Sequence, residues 1–141
     1  MSITRDYRRQ HEKILELMAE LSAYLTEERL KGEAHEAKSI LSRLAGALKV
    51  HLAMEDNSLY PRLLESKDEQ VRDTARRFIE EIGGIASAFN DYVNRWPKPL
   101  SIENNPVEFI NESIEFFKKL KERIHREDDI LYPLVDKTQA S

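Results

Sequence analysis

His51 and Glu55 stand four residues apart inside a long run with helical periodicity. That spacing stacks both side chains on one helix face. The face is an apolar one. Ala37, Leu41, Leu44 and Leu48 precede the pair at alternating spacings of four and three, the seam of a bundle helix. Charge on such a seam is costly unless something compensates it. A metal ion is one compensator, and imidazole with carboxylate is an ordinary donor pair for iron, manganese or zinc. The competing reading is a buried histidine hydrogen-bonded to Glu55 without metal, since buried ionisable groups are usually paired.

A third donor comes from the first helix, whose seam reads Tyr7, His11, Ile14, Met18, Leu21 and Leu25. A helix breaker, Gly32, marks the expected turn to the second helix. His11 lies about 21 residues before it and His51 about 19 after it, which on antiparallel helices puts them within ~3 Å of one height.

A partial echo supplies the fourth. Leu59-Tyr60-Pro61 recurs as Leu131-Tyr132-Pro133, each after an acidic cluster: Glu55 and Asp56, then Glu127, Asp128 and Asp129. His125 and Asp129 repeat the spacing of four, but in another register. The residues six and ten before Pro133 are Glu127 and Arg123, as Glu55 and His51 are before Pro61. Ile110, Ile114, Phe117, Leu120, Ile124 and Leu131 define the expected buried face. At 100° per residue, Glu127 and Asp128 lie about 50° from its centre, His125 about 105° and Asp129 about 145°. Glu127 is the preferred carboxylate and Asp128 the second choice. Arg123 would bring positive charge where the echo otherwise has a histidine. The third helix has no histidine; its seam is Val71, Ala75, Phe78, Ile82, Ile85, Phe89 and Tyr92, with Glu81 on the flank at the donor level.

The elements that must position these residues are four long helices. They are expected from about Ser2 or Thr4 to Leu30, Ala34 to Leu64, Glu69 to Arg95, and Pro106 to near Pro133. The Pro- and Asn-rich stretch from Trp96 to Pro106 is the longest break, and Asp136 to Ser141 is expected to fray. Short connections between such helices predict an all-α, up-down-up-down four-helix bundle, one domain over residues 1–141. Apolar residues make up 40% of the 141, enough for one core, and 34% charged residues suit solvated outer faces. The net charge of −4 with no basic block argues against nucleic acid. Cysteine is absent, which rules out disulfides, thiolate metal sites and cysteine nucleophiles. No apolar signal core or membrane span is evident, so a cytoplasmic protein with no membrane partner is expected. His35 is expected at the surface.

His11, the His51 and Glu55 pair with its Leu-Tyr-Pro ending, and the acidic Leu-Tyr-Pro ending of the fourth helix together resemble the hemerythrin-like HHE cation-binding domain family over essentially the whole chain. The resemblance implies a four-helix bundle around a non-haem di-iron centre. Histidines from all four helices bind the irons there, and carboxylates of the second and fourth helices bridge them. Members bind oxygen, sense oxygen or iron, or handle peroxide and nitric oxide. By resemblance His11 and His51 would be terminal ligands and Glu55 a bridge.

This chain departs from that pattern in its third helix and at Arg123. His11, His51, Glu55 and Glu127 make four donors, with Asp128, Glu81, His125 and Asp129 as reserves. Four donors suit one Fe, Mn or Zn ion with open positions for water; two ions would need many waters. In an apo form the same side chains would make a buried polar network linked to Arg123 or to the hydroxyls of Tyr7, Tyr60 and Tyr132, every member needing a partner. Three functions follow. The first is a metal-binding protein that binds or senses a small diatomic or peroxide ligand, or the metal. The second is a metal-free structural or interaction module of the same fold. The third is a metal-dependent peroxide or nitrogen-oxide reductase.

Overall fold

The computed structural model describes residues 4–139, and among them every regular element is helical. Helix α1 spans Arg5–Ser22 and α2 spans Glu27–Met54. A π-helical turn, Glu55–Leu59, leads into α3, Tyr60–Leu64. Next come α4 (Glu69–Ile82), α5 (Ile85–Arg95) and α6 (Pro99–Asn104). Helix α7 (Pro106–Arg126) passes through a second π turn, Glu127–Leu131, into α8 (Tyr132–Gln139). Local chemistry sets several of these starts. The Thr26 hydroxyl accepts the Arg29 N–H at 3.2 Å, and Asp68 caps α4 through the Val71 N–H at 3.2 Å. Pro99 and Pro106 open α6 and α7, where a missing N–H costs nothing.

Four expectations about boundaries are corrected. The first turn lies at residues 23–26, not at Gly32; the breaker instead coincides with a kink inside α2, where Glu33 leaves helical geometry (φ −128°, ψ 33°). The third helix is broken at Gly83 and Gly84, although its apolar seam stays in register and is buried on both sides of the break. A Cβ on Gly83 would stand 2.4 Å from the Ile79 carbonyl oxygen, so this backbone path needs glycine. The expected loop holds the short α6, because Ile102 finds a fully buried place in the core. The chain from Asp136 onward continues α8 to Gln139, with Asp136 Oδ2 accepting the Thr4 hydroxyl at 2.8 Å. Ser2, Ala140 and Ser141 lie outside the described residues.

The π turns explain the echoed Leu-Tyr-Pro. Each falls just before a proline, whose ring crowds the carbonyl four residues back and lacks an N–H to offer it. The backbone widens instead. Tyr60 N–H donates to the Glu55 carbonyl, and Tyr132 N–H to the Glu127 carbonyl, five residues back. The extra residue per turn brings Glu55, Leu59 and Tyr60 inward together, and likewise Glu127, Leu131 and Tyr132; all six are buried.

Burial divides into two apolar clusters. The larger contains Ile14, Leu48, Leu52, Leu120 and Ile124 with the aromatic group Phe89, Tyr92, Trp96, Phe109, Phe116 and Phe117. The smaller contains Leu59, Tyr60, Leu63, Val71, Phe78, Ile82, Leu131, Tyr132 and Val135. His51 and Glu55 separate the two along α2 and its π turn, as Arg123 and Glu127 do along α7 and the second π turn, so a polar layer crosses between apolar blocks. The expected seam of the fourth helix needs one correction. Ile114 is 56% exposed and Ile110 half-buried, while Phe109, Ser113 and Phe116 point inward. Phe109 and Phe116 turn the helix inward by stacking on Tyr92, whose hydroxyl pairs with Ser113 at 2.5 Å. No helix among the described residues is long and apolar enough to cross a membrane.

Candidate metal centre

The polar layer brings His11, His51, Glu55 and Glu127 together, with one donor atom of each within 4.8 Å of all the others. None is more than 2% exposed. Helix α1 supplies His11, α2 supplies His51, and the two π turns begin at Glu55 and Glu127. The imidazoles meet edge to face with centroids 4.6 Å apart. The inference from relative depth therefore gave the right neighbours from a wrong turn position.

His51 carries the clearest sign of a cation site. Its Nδ1 lies 2.5 Å from Gln10 Oε1, a carbonyl oxygen that can only accept, so Nδ1 bears the proton. Gln10 is oriented by its amide nitrogen, which donates to Met54 Sδ at 3.3 Å. The lone pair is then on Nε2. That atom is buried without a hydrogen-bond partner, yet it lies 2.9 Å from Glu55 Oε1 at an angle that makes no hydrogen bond. Burial, and then the neighbouring His11, push the His51 pKa down to about 3, which keeps the ring neutral. A nitrogen lone pair facing a carboxylate oxygen in a dry site is an arrangement that a cation resolves.

His11 is held the opposite way. Its Nδ1 lies 2.8 Å from Asp128 Oδ1, which turns Nε2 toward Glu127 Oε1 at 3.1 Å and the Tyr132 hydroxyl at 3.3 Å. Burial disfavours its charged form, but the hydrogen bond and charge of Glu127, with Glu55 and Asp128, outweigh that and raise its pKa. A carboxylate or amide oxygen behind each imidazole is the usual support of a ligating histidine.

Two tyrosines and one arginine hold Glu55 and Glu127. Tyr132 donates its hydroxyl to Glu55 Oε2, and Tyr60 donates to Glu127 Oε2 at 2.6 Å. Arg123, 1% exposed, donates through Nη2 to Glu55 Oε1 at 3.2 Å and through Nε to Glu127 Oε2 at 3.1 Å. Nη2 also reaches Asp56 Oδ1 at 2.8 Å, and Nη1 lies 3.5 Å from the Ile82 carbonyl, freed by the break at Gly83. Burial raises both glutamate pKa values, and for Glu127 the neighbouring Glu55 adds to it. Burial beside the two carboxylates likewise pushes the Tyr60 and Tyr132 phenols far up. Tyr7 contributes its ring, 6.1 Å from His51 and 6.0 Å from Tyr132.

The reserve candidates lie elsewhere. Asp128 is half-buried and reaches the layer only through His11 Nδ1. Glu81 is exposed and paired with Arg126 at 2.6 Å. His125 and Asp129 are exposed, on the outer face where their angles on the helix put them, and His35 is exposed too. Gln10 and Asp56 had no signal of their own; each works through a partner on another helix.

Two imidazole nitrogens and two carboxylate oxygens, one nitrogen orphaned, fit a first-row divalent ion. The family model described as the hemerythrin HHE cation binding domain matches residues 2–135 of the chain. No curated protein and no solved structure matches it.

Proposed function

Because the chain belongs to the hemerythrin HHE cation-binding family, we propose that it is a metal-binding protein that binds or senses a small oxidant or the metal itself. In this reading a single up-down-up-down four-helix domain holds non-haem iron at His11, His51, Glu55 and Glu127. The observation that carries it is the buried, unpartnered Nε2 of a neutral His51, aimed at three further donors. Bound iron would supply a Lewis acid and a one-electron redox change. The protein's part is to fix the donors. Gln10 and Asp128 lock the two imidazoles with Nε2 inward, and Tyr60 and Tyr132 hold the carboxylates in place. The small oxidant of this reading is a diatomic or peroxide; the single Tyr132 hydroxyl proton stays with Glu55 Oε2. The proposed setting is the cytoplasm.

One observation favours a metal-free module instead. Arg123 bonds both carboxylates, so most of the layer is satisfied without an ion. Metal content decides between the two. After anaerobic loading with ferrous iron and desalting, the protein should retain stoichiometric iron, while His51→Ala and Glu55→Ala should retain none. An iron-free wild type with its helical circular dichroism intact would sink the iron reading. Failure to retain manganese or zinc as well would sink the metal reading in general.

A further inference from the structure

The polar layer is built from two related halves. Glu55, Asp56, Leu59, Tyr60 and Pro61 recur as Glu127, Asp128, Leu131, Tyr132 and Pro133. The structure repeats with them. A π turn occupies the same place in both, and each tyrosine donates to the other half's glutamate. The alignment that lays Glu55 on Glu127 also lays His51 on Arg123 and His11 on Gly83. One half therefore offers two imidazoles, and the other offers a guanidinium and a residue without a side chain.

We propose that the Arg123 guanidinium is the resident cation of the second half, so that the centre takes one metal ion and Arg123 sets that number. This rests on the metal-binding reading above. The acceptors around Arg123 are those a cation would draw. Glu55 Oε1 sits between His51 Nε2 at 2.9 Å and Arg123 Nη2 at 3.2 Å. Glu127 turns Oε1 to His11 and Oε2 to Arg123. Asp56 Oδ1 and the Ile82 carbonyl complete the shell. Both glutamates thus join the metal half to the guanidinium half. Gly83 contributes no side chain to the layer, and the Ile82 carbonyl at the break there lies 3.5 Å from Arg123 Nη1. A guanidinium stays protonated throughout the accessible pH range. A second divalent ion would have to displace it or stand a few ångströms from it in a dry site, where like charges repel strongly.

Native mass spectrometry of the folded chain loaded anaerobically with ferrous iron counts the ions, and the magnetic resonance of the manganese(II)-loaded protein tells an isolated ion from a coupled pair. Wild type should hold one ion with an isolated-ion spectrum. Arg123→His should hold two, with coupling; Arg123→Lys, which keeps the charge, should hold one. Two ions on wild type would overturn the proposal and leave the metal site standing. A folded Arg123→His protein that still holds one ion, or an Arg123→Lys protein that holds two, would overturn it as well. No ion on wild type would remove the metal reading and this inference with it. Should Arg123→His fail to fold, the wild-type and Arg123→Lys counts decide alone.

Discussion

Two regions of this bundle bury polar atoms, and they do it differently. In the aromatic block, the Tyr92 hydroxyl meets Ser113 at 2.5 Å among Phe89, Phe109 and Phe116. Both partners are neutral and each answers the other, so the pair needs no charge to balance it. In the polar layer, two histidines, two glutamates and an arginine lie at 2% exposure or less, with half-buried Asp56 and Asp128 at the edge. Many contacts are made there, yet one nitrogen is left without a partner. Burying a hydroxyl pair requires local complementarity only. Burying a charged layer requires a balance of cations against carboxylates, and that balance is what a metal ion can enter.

The largest effect should come from removing the fixed cation. In chelator-treated protein, Arg123→Ala leaves Glu55 and Glu127 without their guanidinium, and breaking a buried pair in this way costs about 3–5 kcal/mol. Denaturant unfolding with and without added manganese reads it. The variant should recover more stability from the metal than wild type does, because an ion that binds only the folded chain stabilises by mass action. A loss below about 1 kcal/mol would mean that the carboxylates are neutral in the folded state and that the layer resembles the aromatic block more than its charges imply.

The two histidines sharpen the contrast through opposite pH dependence in the metal-free protein. The folded state depresses the His51 pKa to about 3, so the unfolded chain binds the proton first. The contribution of His51 is fully present above the unfolded value, about 6.5, and is lost as pH falls toward the folded one. The His11 pKa is raised, so its contribution is fully present below about 6.5 and is lost as pH rises through the folded value. The deficit of His51→Gln against wild type should therefore shrink on acidification and that of His11→Gln on alkalinisation, each by at most about 1.4 kcal/mol per pH unit. Unfolding curves across pH 4 to 9 test the signs, and slopes of the same sign would break the assignment of one lowered and one raised imidazole pKa.

Much of this layer was legible because helical periodicity is strict where a seam is otherwise apolar. His11, His51 and Glu55 stand out against Ile, Leu and Met at the same spacing. Glu127 and Arg123 came from counting back from proline. That count worked because both halves carry the same π turn, so the extra residue cancels between them. The π turns themselves were not legible, since nothing in the residue pattern separates a widened turn from a regular one before proline. The pairing of Gln10 with His51 and of Asp56 with Arg123 depends on which helices meet, which local sequence does not encode. Ile114 was misplaced because apolar periodicity cannot anticipate that Ser113 is drawn inward by a hydroxyl on another helix. The first turn was misplaced because Gly32 is a genuine break that the chain uses as a kink.

Smaller effects belong to the aromatic block. Ser113→Ala removes one half of a neutral buried pair, a loss of about 1–3 kcal/mol if the Tyr92 hydroxyl stays dry. Ser113→Ala combined with Tyr92→Phe should recover part of that loss, because no polar atom is then left alone. A double-mutant cycle by thermal unfolding gives the coupling. Zero coupling would show that water reaches Tyr92 and that this block is not closed.

The smallest effect distinguishes two registers of one helix. His125 and Asp129 repeat the spacing of His51 and Glu55, yet both side chains are exposed, whereas Arg123 and Glu127 are buried in the layer. An exposed substitution away from special features usually changes stability by no more than about 0.5 kcal/mol. His125→Ala should stay within that range and keep the wild-type metal content, while Glu127→Ala should lose the metal. The geometry behind this is the π turn. It starts at Glu127 and directs that side chain to His11, whereas Asp129 lies within the turn on the outer side. If elemental analysis found the His125→Ala protein empty and the Glu127→Ala protein loaded, α7 would have to be rotated by nearly half a turn, and the pairing of the two halves through their tyrosines would fall with it.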